Sequence, residues 1–235
     1  MKSTTKLTLV SIALYALATI TAVAQSTWKL SRDLLATNNQ IAFSQGSNGV
    51  WYFLRSDSFV HHPITYQFLS AYNMPCVSDS VSHFVDGEAC WQNPTLERGI
   101  YRIPLVGINA TYSAQSPNGA FVIPKRSVFM HPSSSGLAVI GWKSPVTGVV
   151  DVSGFFSHLD QSCGNGVIWY VDSWAPTGNH QLATGTLPTV GPSQTFSLPA
   201  LSIARGQLLY FVVDPNGGVD FCDTTGIDVT ISQTK

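Results

Sequence analysis

Asp160, Asn165, Asp214 and Asp223 stand in turns between apolar patches of this 235-residue chain. Oxygen-bearing side chains gathered in that way are the ligands a hard cation such as Ca²⁺ takes. The segment DPNGGVDFCD sets Asp214, Asn216, Gly218 and Asp220 at alternate positions, with Asp223 three further on. It fails as an EF-hand loop, because Val219 holds the glycine position and Thr225 the place of the bidentate glutamate. D-P-N-G is also a strong β-turn signal: proline fixes φ, and Asn and Gly accept positive φ. The turn is the favoured reading. A Ca²⁺ site built from Asp160, Asn165, Asp214 and Asp223 is the alternative, since a bond between Cys163 and Cys222 would bring those loops together.

The aromatic residues offer a second chemistry. Sugar rings present apolar C–H faces that stack on Trp and Tyr, while nearby polar side chains pair with the hydroxyls. Trp51, Tyr52, Trp91 and Trp174 lie at strand ends or in loops, where binding residues concentrate, and are the candidate ligand contacts. Trp142 and Trp169 fall inside regular strands and are expected in the core. Catalytic patterns are weaker. There is no G-x-S-x-G elbow. Asp151, Asp160, Asp172 and Asp214 could supply a glycosidase with carboxylates, but nothing singles out a pair. No CxxC or HExxH spacing suggests zinc. His83, Asp86 and Glu88 read as a solvated acidic loop, His61-His62 as a surface pair, and His131 as a residue hydrogen-bonded in a turn. No catalytic residue is assigned.

The elements that must position these residues are strands. From His131 to Ile231 the chain reads LAVIGW, GVVDVSGFF, NGVIWYV, QTFSL, QLLYFVV and GIDVTI, separated by Gly, Pro and Asp turns with no helical stretch between. Period-two alternation puts Val150, Val152 and Phe156 on one face, as it does Val167, Trp169 and Val171, and Ile227, Val229 and Ile231. The run Leu208–Val213 is apolar on both faces and suits a central strand. This is an all-β pattern, an antiparallel β-sandwich. Residues 25–130 have shorter patches and denser turns than 131–235, and the two parts are read as one domain.

Lys2 and Lys6, an apolar run from Leu7 to Ile20 and the A-x-A site Ala22-Val23-Ala24 predict a signal peptide over 1–24 and a secreted, periplasmic or extracellular protein starting at Gln25. No later segment is long and apolar enough to span a bilayer. Four cysteines in an exported chain suggest two disulfides. Three pairings are open; the expected one is Cys76 with Cys90, which closes a local loop, and Cys163 with Cys222, which ties two strand-edge turns. The formal charge is −1, with 11% of residues charged, and no basic patch offers the phosphate-neutralising surface that nucleic acid needs. Asn109-Ala-Thr111 is a glycosylation sequon.

The order HP…G-LAVIGW-x-x-P-x-x-G-x-V-x-VSG-x-F, D-x-x-x-GNGV, G-x-x-L-x-FVVDPNG and CDTTGID-x-TI resembles a bacterial secreted domain, a galactose-binding-like, carbohydrate-binding-module-like jelly roll. His131, Pro132, Trp142, Pro145, Gly148, Gly154, Asp160, Gly164, Gly166, Val167, Phe211, Asp214, Pro215, Asp223 and Asp228 carry the likeness. SQGSNGVWYFLRS, with Trp51, looks like the first strand of the same domain, and PLVGINAT like its linking segment. The resemblance implies the jelly-roll sandwich and, by analogy, sugar recognition; it brings no catalytic residues, and the sequon reads as silent in a bacterial host. The expectation is therefore a non-catalytic module that binds extracellular carbohydrate or cell-surface glycan. A structural or adhesive protein using the sandwich for protein contacts stands second, and a cryptic glycan-active enzyme third.

Overall fold

The computed structural model describes residues 26–35, 50–73, 76, 87–93, 102–119, 121–175 and 178–234. The proposed signal peptide lies outside them, as do His83 and Asp86. After a short strand β1 (Thr27–Lys29) and one helical turn α1 (Leu30–Leu34), the described elements are, apart from single 3-10 turns at Pro63–Thr65 and Pro117–Gly119, strands: β2 (Trp51–Ser56), β3 (Tyr66–Phe68), β4 (Ala71–Asn73), β5 (Glu88–Gln92), β6 (Leu105–Asn109), β7 (Val128–His131), β8 (Leu137–Lys143), β9 (Gly148–His158), β10 (Val167–Ala175), β11 (Gly178–Leu187), β12 (Gln194–Ile203), β13 (Leu208–Asp214) and β14 (Thr225–Thr234). They form two antiparallel sheets. The eight-stranded sheet runs β12-β9-β14-β7-β6-β5-β4 with β1 paired to β14, and the six-stranded sheet runs β11-β10-β13-β8-β2-β3. The fold is the all-β antiparallel sandwich the alternation calls for.

The alternation sorts the side chains. Val150, Val152 and Phe156 from β9, Val167, Trp169 and Val171 from β10, and Ile227, Val229 and Ile231 from β14 meet in the main core between the sheets. Phe156 stacks on Trp169 with ring centroids 5.0 Å apart. Trp142 is wholly buried and Trp169 is 4% exposed, so both are core residues. β13 takes the interior place its two apolar faces suggest, between β10 and β8.

Each sheet also buries apolar residues on its outer side. Cys76, Cys90, Ile103, Leu105, Phe121, Ile123 and Phe129 cluster beyond the eight-stranded sheet, and Leu54, Leu137, Val139, Tyr210 and Val212 beyond the six-stranded one. Cys76 is bonded to Cys90 and Cys163 to Cys222, with Cα atoms 5.0 and 5.6 Å apart. The second bond closes 59 residues and ties the β9–β10 turn to the β13–β14 turn. Asn109 of the sequon is buried, and its Nδ2 donates to the carbonyls of Ser113, Ile123 and Pro124, so no glycan attaches there without unfolding this corner.

Candidate functional site

Neighbouring residues of β2 part company at the sheet. Trp51 points inward, is 1% exposed and donates its Nε1–H to Asp33 Oδ2 at 3.1 Å, so it is a core residue and cannot stack on a sugar. Trp91 also belongs to the inside, half-buried against the main core and stacked on Phe53 with centroids 6.2 Å apart. Tyr52 and Trp174 face the other way and pack on the outer cluster of the six-stranded sheet.

The calcium candidates are not brought together. Asp214 Oδ1 accepts the Asn216 N–H at 2.9 Å, closing the turn that D-P-N-G predicts, and Asn216 takes a positive φ of 51°. Asn165 Nδ2 donates to the Asn216 carbonyl at 2.6 Å. Asp160 Oδ1 accepts from the Ser162 amide at 3.2 Å and its hydroxyl at 2.5 Å. Asp223 turns inward, 3.9 Å from His158 Nε2, both side chains wholly buried. Among the described residues one set of three metal-capable atoms falls within 4.8 Å, namely Asp160, Cys163 and Cys222, and its two sulfurs are joined to each other. Local turns use the Asp160 and Asp214 oxygens, Asp223 keeps both of its oxygens buried without a hydrogen-bond partner, and the four residues do not converge on one point. Burial raises the Asp223 pKa to about 7, against the opposing pull of His158. Burial likewise raises Glu88 to about 7. Glu88 is fully buried in β5 with both oxygens unbonded among the described residues, not part of a solvated loop.

The outer face of the six-stranded sheet holds what the sequence left scattered. Register sets Tyr52 opposite Gly141, Gly141 opposite Tyr210, and Tyr210 opposite Asp172, in one row across β2, β8, β13 and β10. The adjoining row is Lys143, Leu208 and Trp174. Phe68 of β3 lies beside Tyr52 with ring centroids 6.0 Å apart. Gly141 is itself buried, and a Cβ there would sit 3.3 Å from Leu54 and 3.4 Å from Tyr210, so the glycine lets these two side chains pack closely over the row. The result is a cleft of about 360 Å³ with Tyr52, Leu54, Tyr66, Phe68, Leu208 and Tyr210 as its surface and Pro63, Lys143 and Gly206 at its rim. That volume lies at the small end of ligand sites, which run to roughly 300–1,000 Å³.

Polar groups with unused capacity line it. The Tyr66 hydroxyl is buried without a hydrogen-bond partner, and burial, with the charge of Asp172 and the adjacent Tyr210, pushes its pKa well up. Burial raises Tyr210 to about 12. Lys143 is exposed and has no carboxylate partner among the described residues. A second cleft, beside α1, holds Lys29, Arg32 and Arg126, but its cations are already engaged by Asp228, Asp33 and the Tyr112 ring.

The β2–β3 connection arches over this face. His61 places Nδ1 3.4 Å from Asp172 Oδ2 and Nε2 3.7 Å from Asp214 Oδ2, with its ring edge-on to Tyr170 at 4.0 Å. Burial alone would lower its pKa, but the two carboxylates outweigh that and raise it to about 9, so it is a cation at neutral pH. Asn179 Nδ2 donates to the His61 carbonyl at 2.9 Å, and His62 packs edge-on to Trp174 at 5.0 Å. The histidines are thus built into the site, not left on the surface. Asp172 and Asp214 are the pair a glycosidase would want, yet the imidazole fills the space between them where a scissile bond would lie. The sequence signal that could have found this site is the alternate run Tyr170, Asp172, Trp174, polar and aromatic on the face opposite Trp169 and Val171.

No protein-family model matches this chain, and no curated protein does. Solved structures similar to it include a family 51 carbohydrate-binding module from Clostridium perfringens in complex with methyl-galactose, at 12% identity and a TM-score of 0.35, covering 48% of this chain and 73% of that one. A variant of the family 29 module CBM29-2 complexed with cellulohexaose gives 10% identity, a TM-score of 0.32 and coverages of 69% and 90%. The enzymatically active domain of tailspike protein 4 from bacteriophage CBA120 gives 8%, 0.31, and 71% and 20%. Such scores say nothing of ligand.

Proposed function

We propose that the protein is a non-catalytic binding module that takes extracellular carbohydrate in the cleft on the outer face of its six-stranded sheet. The observation that carries this reading is the cleft itself, in which half-buried Tyr52 and exposed Phe68 present aromatic faces beside exposed Lys143, with Tyr210, 4% exposed, in its lining. Aromatic faces take the C–H side of a sugar ring, and the exposed Lys143 ammonium supplies hydrogen bonds to its oxygens. His61 between the two buried carboxylates argues against hydrolysis at that point. Two disulfides fit an oxidising compartment outside the cell.

Exposed apolar residues on the arch, Phe59, Val60 and Ile64, favour a second reading in which the same region contacts another protein. A glycan array probed with the native protein and with a Tyr52→Ala, Phe68→Ala double variant separates the two. Binding that the double variant loses supports the carbohydrate reading; no glycan bound, or full binding by the variant, sinks it.

A further inference from the structure

β2 and β3 are neighbours at one edge of the six-stranded sheet, and a tight hairpin turn would suffice to join them. The chain instead travels out over β8 and β13 as far as β10 before it returns, since His61 reaches Asp172 and Tyr170 on β10 and Asp214 on β13. From β2 to β10 is three strand spacings, about 14 Å. The chain from Ser56 to His61 can span at most about 18 Å fully extended. This segment, residues 57–65, is a strap that bends at 57–59 and turns back through a single 3-10 turn at Pro63–Thr65.

Its fastenings are numerous for its length. His61 is held between two carboxylates and by the Asn179 amide, His62 rests on Trp174, and Thr65 Oγ1 takes a hydrogen bond from Ser56 Oγ at 3.0 Å where the strap returns to the sheet. Leu137, Val139 and Val212 face outward yet are wholly buried, in a cluster against which Tyr66, just after the strap, and Tyr170 pack. Its inner edge, Pro63 with Tyr66 just after it, forms one side of the cleft. Trp174, the next residue across from Leu208, meets His62 and shuts the β10 end.

We propose that the strap is a fixed wall that makes the cleft a site for the end of a glycan chain and not for its middle, with His61 as the positioning residue that holds the wall down. This rests on the carbohydrate reading above. A polysaccharide running across the strands from Phe68 toward β10 would have to cross the ground occupied by His61, His62 and Trp174, whereas a chain end entering beside Tyr52 and Phe68 can stop short of them.

The test uses the full protein on an array that prints each polysaccharide beside the short oligosaccharides cut from it, at equal mass. Signal should follow the number of chain ends, so that oligosaccharides bind more strongly by roughly tenfold or more, and chemical capping of the terminal sugar should abolish it. Equal signal per mass on both forms, insensitive to capping, would overturn the inference and leave the carbohydrate reading standing. No carbohydrate bound at all would overturn both. His61→Gln, which removes the ion pairs at similar size, should raise polysaccharide binding relative to oligosaccharide. Asp172→Asn provides the same test independently should the first variant fold poorly, as judged by near-UV circular dichroism. A folded variant with an unchanged ratio would remove His61 from the role.

Discussion

Trp51 and Tyr52 are adjacent in the chain, share one strand and face opposite sides of one sheet. On the inner side Trp51, Trp142 and Phe211 are sealed against the second sheet, each 1% exposed or less. On the outer side Tyr52, Phe68 and Tyr210 gather round Gly141, with Lys143 and the Tyr66 hydroxyl carrying bonding capacity that the protein itself does not use. The difference shows that aromatic content alone does not mark a ligand face. What marks it is aromatic surface left uncovered beside polar groups left over, a combination that close packing would otherwise eliminate.

The largest expected effect lies on the inner side. Trp51→Ala should destabilise the protein by about 3–5 kcal/mol, the range for buried large aromatics. Tyr52→Ala should cost only about 0.5–1.5 kcal/mol, the worth of its ring contact with Phe68. Urea denaturation midpoints check both, and equal losses would erase the distinction between the faces. Opening the Cys163–Cys222 bond with paired serine substitutions should cost about 4 kcal/mol on loop-entropy grounds. That bond pins the turns at the end of the sandwich, so a much smaller loss in the same assay would mean that packing alone fixes the Asp214 side of the strap.

Buried carboxylates make the inner polar groups pH-sensitive in a direction opposite to ordinary ion pairs. The folded Asp223 value of about 7 lies above its ordinary 3.8. Its contribution is therefore fully present below about pH 4 and is lost as pH rises through about 7. Asp223→Asn should flatten that part of the melting temperature against pH profile, by an amount on the order of a few kcal/mol in stability. His131 works in the reverse sense, because burial lowers its pKa, but it is common to both proteins and cancels in the comparison. Parallel profiles would contradict the buried-acid account. Gly141→Val should cost about 1–3 kcal/mol by overpacking a buried position where even a Cβ sits 3.3 Å from Leu54, and should abolish glycan binding by displacing Tyr210 beside Tyr52. Retained glycan binding in that variant would place the ligand elsewhere.

Much of the fold was legible because alternation is a local signal: the inward sets in β9, β10 and β14 are readable from the residues alone, and so is the interior place of β13. Tyr52 and Trp174 were picked for standing at strand ends or in loops, not from alternation. Trp51 and Trp91 were not separable from them, since position at a strand end says nothing about which face a side chain takes, and one residue's shift reverses it. His61 looked like half of a surface pair because its partners, Asp172 and Asp214, lie more than a hundred residues away and meet it only through the strap. The calcium set failed for a related reason. Sequence spacing shows that Asp160, Asn165, Asp214 and Asp223 approach one disulfide, but not that a turn amide and Ser162 take the Asp214 and Asp160 oxygens while Asp223 turns into the interior.

The central claim is that ligand lies on the outer face of the six-stranded sheet, and amide and aromatic NMR shifts during titration with an array-identified glycan test it most directly. The perturbed resonances should be those of Tyr52, Phe68, Gly141, Leu208 and Tyr210, with the eight-stranded sheet silent. Perturbations centred on that sheet, or spread through the core without these residues, would contradict the account.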